Sequence, residues 1–227
     1  MELTEAQKNR RQEFLDWPVE TALPEVIGSY RFRRADRQEG RVYTAFEYVS
    51  GETGWTVRAI FDEETMDYMV KMDFRLFSMT DIELISGDFS SYKESVERLL
   101  AKHMQRELID RDRVSVVIRG KAFTAWDFHE ALPETVGGYR RMVAPDRPLL
   151  GLNGSYIIAV YENRDTERGI IFFYNMYRNE YYAEMNARHI PIIIHEYDAE
   201  TVSELEAHIR KRLAGDLERL DAMEPEA

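Results

Sequence analysis

Two stretches of the sequence, WPVETALPEVIGSYR at residues 17–31 and WDFHEALPETVGGYR at residues 126–140, share eight of their fifteen residues. The shared residues are Trp, Ala, Leu, Pro, Glu, Gly, Tyr and Arg, and the stretches lie 109 positions apart in a chain of 227 residues. A match at a fixed separation is the sequence signature of an internal repeat. It predicts that the chain consists of two copies of one unit, covering residues 1–111 and 112–227.

Hydrophobic periodicity predicts the same order of elements in both units. After each repeated stretch the pattern changes to alternating apolar and polar residues, which is typical of strands with one covered face. A stripe of apolar residues at helical spacing then closes each unit. Each unit is therefore predicted to be α+β, with a helix, a four-stranded antiparallel meander and a long helix. The predicted strands are 30–34, 41–49, 55–61 and 68–76 in the first unit, and 139–143, 156–161, 170–177 and 181–194 in the second.

The connection between the units decides how the two meanders are arranged. Residues 113–119 read RVSVVIR, a run rich in β-branched residues that predicts a strand rather than a flexible linker. We therefore expect the meanders to join edge to edge into one saddle-like sheet with the helices on one face. This order is similar, in architecture only, to the duplicated saddle of the TATA-binding protein fold. No motif of that family is present, so the similarity implies an arrangement and no function.

Charge and composition favour some classes of partner over others. The 42 acidic and 30 basic residues give a formal net charge of −12, which repels phosphate backbones, so nucleic-acid binding is not expected. No apolar run is long enough to span a membrane. The sequence contains no cysteine, which excludes disulfides, thiolate ligands and cysteine nucleophiles. The first residues lack the pattern of a signal peptide, and we expect a cytoplasmic protein.

Linear motifs for catalysis, cofactors and metals are missing from the sequence. There is no phosphate-binding Gly-rich loop, and no serine lies in a G-x-S-x-G elbow. His189 and His195 would lie about 20 Å apart on one extended strand, which is too far to share a metal. His103 falls on the apolar stripe of the first long helix and is predicted to be a helix residue with a polar tip. We therefore assign no catalytic residue, no cofactor and no metal site from the sequence.

The repeated stretch itself is better explained by structure than by chemistry. Trp, Leu and Tyr are large anchors for a core, and Pro and Gly suit the start and end of a helical turn. We interpret residues 23–28 as such a turn, which leads into the first strand. Arg31 and Arg140, which follow the repeated Tyr, have no role in this interpretation. They are predicted to pair with Glu25 and Glu134 or to point into a groove between the units.

The strongest candidate for a functional surface lies where the two copies differ. Residues 170–182 read IIFFYNMYRNEYY, so both faces of one strand are apolar or aromatic, whereas the matching strand of the first unit has Thr56 and Arg58 on its second face. A second apolar face needs a cover of its own. That cover is another segment of the chain, a second copy of the protein, or a ligand. The predicted binding residues are Tyr156, Ile171, Phe173, Tyr177 and Tyr181, together with Arg31 and Arg140.

Three classes of function follow from these observations. We expect a non-catalytic interaction protein that uses the aromatic sheet surface of the second unit to bind a protein partner or a second copy of itself. The alternative is a small-ligand-binding protein or an enzyme with a site in the cleft between the units. A third class, nucleic-acid binding, would use basic residues of the first unit, namely Arg31, Arg33, Arg34, Arg58, Lys71 and Arg75.

Overall fold

The strands of the chain form two antiparallel sheets, one in each of two units, Met1–Ile109 and Asp110–Ala227. The structure is a computed structural model that describes residues 4–112, 116–151, 154–188 and 190–223. Helices and antiparallel sheets occur in both units, which confirms the prediction of an α+β protein.

The first unit starts with two helices, continues with a meander and ends with a long helix. Its six strands pair in the order in which they occur along the chain. A π-helical turn, Gln105–Ile109, follows the long helix. The elements are α1 (Glu5–Leu15), α2 (Val19–Ala22), β1 (Val26–Ile27), β2 (Tyr30–Glu39), β3 (Val42–Ser50), β4 (Thr56–Asp62), β5 (Asp67–Asp73), β6 (Ser78–Ser86) and α3 (Phe89–Met104).

The second unit follows a similar order. Two short helical segments, α4 (Val116–Arg119) and a 3-10 turn (Ala122–Ala125), precede its strands. The sheet order is β13-β12-β11-β10-β8-β7, and β9 pairs with β10. The remaining elements are β7 (Thr135–Val136), β8 (Tyr139–Val143), β9 (Leu149–Leu150), β10 (Ser155–Asn163), β11 (Arg168–Asn175), β12 (Glu180–Ala187), β13 (Ile190–Ala199) and α5 (Val202–Ala222).

The predicted single saddle-like sheet is not formed, because no ladder among the described residues joins the two sheets. The connecting strand expected at residues 113–119 is helical at Val116–Arg119, and residues 113–115 lie outside the described residues. A run of β-branched residues favours a strand only where a neighbouring strand is available to pair with it. The one sheet on which the likeness to the TATA-binding protein fold depended is therefore absent from the described part of the chain.

Strand number and strand ends also differ from the prediction. Residues 35–39, expected in a turn, continue β2 past a register shift. The sequence allows residues 77–88 either to extend the preceding strand past a bulge or to supply a fifth strand, and residues 78–86 form the separate strand β6. The long strand expected at 181–194 is two strands, because the chain turns at Arg188, whose φ is 52°. His189, expected on that strand, lies outside the described residues. Among the described residues, each meander therefore has five strands of five residues or more, in place of the predicted four.

Helix α5 covers one face of the second sheet, and this face is called the inner face. The predicted apolar stripe of α5 is buried there against residues of β11, β12 and β13. The opposite face is called the outer face. Strand alternation places Ile171 and Phe173 of β11 on it, together with their cross-strand neighbours Tyr182 and Glu184 of β12.

Polar caps fix where the helices begin. Thr4 followed three residues later by Gln7 predicts a capping box at the start of α1, and the structure confirms it. The Thr4 hydroxyl accepts the N–H of Gln7 at 3.2 Å, and the Gln7 side chain accepts the N–H of Thr4 at 2.9 Å. Thr201 caps α5 with a second capping box. The sequence predicts Ser90 or Ser91 as the cap of α3, and this prediction was wrong, because the cap is Asp88, which accepts the N–H of Ser91 at 2.8 Å.

The repeated stretch makes the same contacts in both units. Its predicted helical turn is instead a two-residue strand that forms a tight hairpin, and Gly28 and Gly137 take positive φ values of 58° and 56° in the two turns. The indole N–H of Trp17 donates to Glu97 of α3 at 2.8 Å, and that of Trp126 donates to Glu206 of α5 at 2.7 Å. In each unit, the start of the repeated stretch is thereby tied to the long helix.

Candidate functional site

Two of the predicted binding residues lie in the core of the second unit. Tyr156 and Tyr181 are on the inner face of the sheet and are buried under the helix and the first turns of the unit. Burial raises the pKa of Tyr181 to about 12, so its hydroxyl stays neutral. The structure therefore does not bring these two tyrosines to a surface that a partner could reach.

Of the other three predicted residues of the second unit, Ile171 and Phe173 lie on the outer face and Tyr177 lies in the turn after β11, and the three differ in exposure. Ile171 is buried, Phe173 is half-buried, and Tyr177 in the turn after β11 is 76% exposed. The Tyr177 ring packs so closely on Gly154 that a Cβ at that position would clash with the ring. The lack of a side chain at Gly154 therefore leaves the space that the Tyr177 ring occupies.

An accessible group of side chains runs across the outer face from this turn to the edge strand. The rings of Phe173 and Tyr182 stack with their centroids 4.8 Å apart and their planes 8° from parallel. Glu184 is the next outer-face residue of β12, and its cross-strand neighbour on β13 is Ile193, which is 73% exposed. We call these side chains, with Tyr177, the outer-face patch: Phe173, Tyr177, Tyr182, Glu184 and Ile193.

Glu184 is the acidic residue of the outer-face patch, and its carboxyl group is partly buried. Among the described residues it has no ion pair and no side-chain hydrogen bond. Burial raises the pKa of its carboxyl group above the usual range, because the aromatic surroundings replace part of its water. An unpaired carboxylate in such surroundings is stabilised when a hydrogen-bond donor or a cation binds to it.

Replacing Glu184 with glutamine is expected to stabilise the protein modestly at neutral pH. Folding raises the pKa of this carboxyl group above its value in the unfolded chain. At a pH below the unfolded pKa the group does not lower the free energy of unfolding, but as the pH rises through the folded pKa it lowers that free energy progressively. Glutamine removes that effect. Thermal unfolding should therefore show a higher melting temperature for Glu184→Gln at pH 7 and equal melting temperatures near pH 4. A lower melting temperature at pH 7 would contradict this account.

Arg31 and Arg140 occupy corresponding places in the two units. Each is the second residue of the strand that follows the repeated hairpin, and each is exposed. The predicted pairs with Glu25 and Glu134 are not formed, and neither arginine has an ion pair among the described residues. Arg140 lies on β8, two strands away from β11, so it is not part of the outer-face patch.

Three of the six basic residues considered for nucleic-acid binding form ion pairs with neighbouring acids. Arg33 pairs with Glu47 at 2.6 Å and Arg34 pairs with Glu20 at 2.7 Å. Arg58 pairs with Asp73 at 2.8 Å. These contacts leave less positive charge on the first unit for phosphate groups than the count of basic residues suggests.

One group of side chains in the first unit has the chemistry of metal ligands. The His103 Nδ1 lies 2.6 Å from a carboxylate oxygen of Asp81, and its Nε2 lies 3.0 Å from one of Glu83. The acids belong to β6 and the histidine to α3. Because the acids and the histidine are about twenty positions apart along the chain, spacing along the sequence gave no sign of this group.

Comparison with known proteins adds no function. No family model, curated protein or solved structure matches the chain. In the described ranges, no helix has both the length and the apolar character needed to cross a membrane. Any functional assignment therefore depends on the outer-face patch and the His103 group themselves.

Proposed function

We propose that the protein is a non-catalytic interaction protein, and that the outer-face patch of the second unit binds a basic segment of a partner protein. The observation that carries the proposal is Glu184, an unpaired and partly desolvated carboxylate flanked by exposed or half-buried apolar side chains. Interfaces commonly combine aromatic anchors with a few polar groups that fix register. Ile193 beside Glu184 and Tyr177 in the turn after β11 supply accessible apolar area.

A different protein suits this patch better than a second copy of the chain. In a twofold dimer the same patch meets itself, so the unpaired Glu184 would approach an identical acidic surface. The net charge of −12 adds long-range repulsion between copies. A lysine or arginine of a partner would instead pair with Glu184, and the charge of the whole chain would speed the encounter.

We also infer that the two units arose by tandem duplication and that the patch reflects later divergence. Support comes from the indole bonds of Trp17 and Trp126, whose acceptors Glu97 and Glu206 are again 109 positions apart. In the first unit Arg58 of the central strand β4 pairs with Asp73 of β5. In the second unit Glu184 has no such partner among the described residues.

Selection of short random peptides on the purified protein tests the proposed function and requires no assumption about the identity of the partner. We expect the selected peptides to contain apolar or aromatic residues around a lysine or arginine. The double variant Tyr177→Ala, Ile193→Asp should bind them at least tenfold more weakly, since two central apolar contacts are worth about 1.4 kcal/mol or more.

A matched control is available on the first unit. Met66 is an exposed apolar residue in a turn with a φ of 63°, which asparagine tolerates, so Met66→Asn should leave peptide affinity unchanged. Equal binding by the wild-type protein and the double variant would contradict the proposal. A wild-type dimer that the double variant dissociates would point to self-association instead. The expected cytoplasmic location is part of the proposal and depends on the sequence alone.

A further inference from the structure

We propose a divalent-cation site in the first unit, in which His103 Nε2 and the Glu83 carboxylate are the protein ligands and Asp81 orients the imidazole. Nitrogen and carboxylate oxygen together are the donor set of zinc and similar borderline cations. Asp81, Glu83 and His103 each offer one ligand atom, and these atoms lie within 4.8 Å of one another.

A large bulge in β6, with four residues opposite one, brings Asp81 and Glu83 close to His103. Thr80 is opposite Lys71 of β5 and Ile85 is opposite Met69, so residues 81–84 face the single residue Val70. Bulges of this kind redirect side chains and are frequent beside functional sites. Within the bulge, one Asp81 oxygen accepts the N–H of Glu83 at 3.1 Å, which holds the turn in place. Both carboxylates are thereby directed toward α3.

The second oxygen of Asp81 determines how the imidazole is presented. It lies 2.6 Å from His103 Nδ1, which is the hydrogen bond by which a carboxylate usually orients a metal-binding histidine. With the Nδ1 proton donated to Asp81, the Nε2 lone pair faces Glu83. The His103 side chain is 6% exposed, so the ring is held rigidly, whereas Glu83 is 61% exposed and leaves an approach from solvent.

The distance between the two ligand atoms agrees with a shared cation. Bonds of about 2.0–2.1 Å in a tetrahedral shell place neighbouring ligand atoms roughly 3.3 Å apart. The Nε2 to oxygen distance is 3.0 Å, so a cation requires a movement of a few tenths of an ångström by the exposed Glu83 side chain. Water would complete the coordination shell, because two protein ligands leave positions open.

In the second unit, the corresponding contact between the long helix and the last strand is made by an arginine, which cannot coordinate a metal ion. Arg212 of α5 is 109 positions after His103, and its guanidinium lies 3.4 Å from Glu196 of the last strand, β13. In both units a nitrogen-bearing side chain of the long helix therefore contacts an acidic residue of the last strand. Only the first unit uses an imidazole for this contact, so only the first unit can coordinate a metal there.

Calorimetric titration of chelator-treated protein with Zn²⁺ tests the proposal, and Co²⁺ absorption reports the ligand field. We expect one saturable site per chain. Glu83→Gln, an exposed substitution that leaves the fold intact, should weaken binding at least tenfold, and Asp81→Asn should weaken it by roughly 10- to 100-fold. His103→Arg should abolish the site, because arginine cannot coordinate the cation. The new arginine should instead form an ion pair with the acids of β6, of the kind that Arg212 forms with Glu196 in the second unit.

Binding at another histidine is the main competing outcome. His195 pairs with Asp198 at 2.9 Å on an exposed surface, and His195→Gln should leave the Zn²⁺ affinity and the Co²⁺ spectrum unchanged. If Glu83→Gln and His103→Arg bind Zn²⁺ as tightly as the wild-type protein, only an adventitious ion is bound and the proposal is overturned. Circular dichroism of each variant separates loss of a ligand from loss of the fold.

Discussion

Replacing Phe14 with alanine is expected to lower the free energy of unfolding by about 3–5 kcal/mol. Phe14 of α1 is fully buried, and the rings of five aromatic residues surround it. A cavity at the centre of such a cluster cannot close without moving large rigid rings, so both the transfer and cavity costs apply. Urea denaturation followed by tryptophan fluorescence measures the loss. The centroids of the surrounding rings lie 5.1–6.5 Å away and belong to Trp17, Tyr43, Tyr68, Phe89 and Tyr92.

The next residue of the same helix is the control for this prediction. Leu15 is 40% exposed, so Leu15→Ala removes a similar apolar side chain without opening a cavity. Its cost should stay below about 1 kcal/mol. A similar loss for Phe14→Ala and Leu15→Ala would mean that the aromatic cluster does not hold α1 to the first sheet.

Replacing Arg168 with methionine is expected to cost roughly 2–3 kcal/mol, because hydrogen bonds to a charged donor are among the stronger ones. Arg168 is a buried residue of β11, and its guanidinium donates to the carbonyl oxygens of Leu220 at 2.9 Å and Asp221 at 2.5 Å. It also donates to the carbonyl of Met223. A cation here both satisfies the last carbonyls of α5 and interacts favourably with the helix dipole.

Amide hydrogen exchange distinguishes this effect from a general loss of packing. In Arg168→Met, the last turn of α5 should exchange faster while the first turn near Thr201 keeps its protection. Arg178→Met is the matched control, since Arg178 is exposed and makes a surface ion pair with Glu180 worth at most about 1 kcal/mol. Uniform loss of protection along α5 in Arg168→Met would contradict the proposed capping role.

The features that sequence predicted well are those set by local signals. The stripe of α5 and the capping box at Thr4 depend on residues three or four positions apart, and the structure contains both. The alternation of β11 likewise predicted two apolar faces, and the structure places Phe172 inside and Phe173 on the outer face. Helix periodicity and strand alternation act within one element, so no tertiary information is needed.

The features that sequence did not predict depend on contacts between distant residues. Tyr156 and Tyr181 were grouped with Tyr177, but their burial depends on which face α5 covers, and composition cannot show that. The sequence did not predict that Asp81 and Glu83 lie beside His103, because the bulge of β6 brings them together from positions about twenty residues apart. The ladder between the sheets was expected from the β-branched run at residues 113–119, but residues Val116–Arg119 of that run are helical.

The affinity of a selected peptide for Glu184→Gln tests the proposed function most directly, because this variant separates binding from stability. Glutamine keeps the shape of the outer-face patch and removes the desolvated charge, so the folded protein should be at least as stable at pH 7. If a basic side chain of the partner pairs with Glu184, the dissociation constant should rise roughly tenfold or more, since a charged hydrogen bond is worth about 1.5–3 kcal/mol. Unchanged or tighter binding by the variant would contradict the claim that the outer-face patch recognises a basic protein segment.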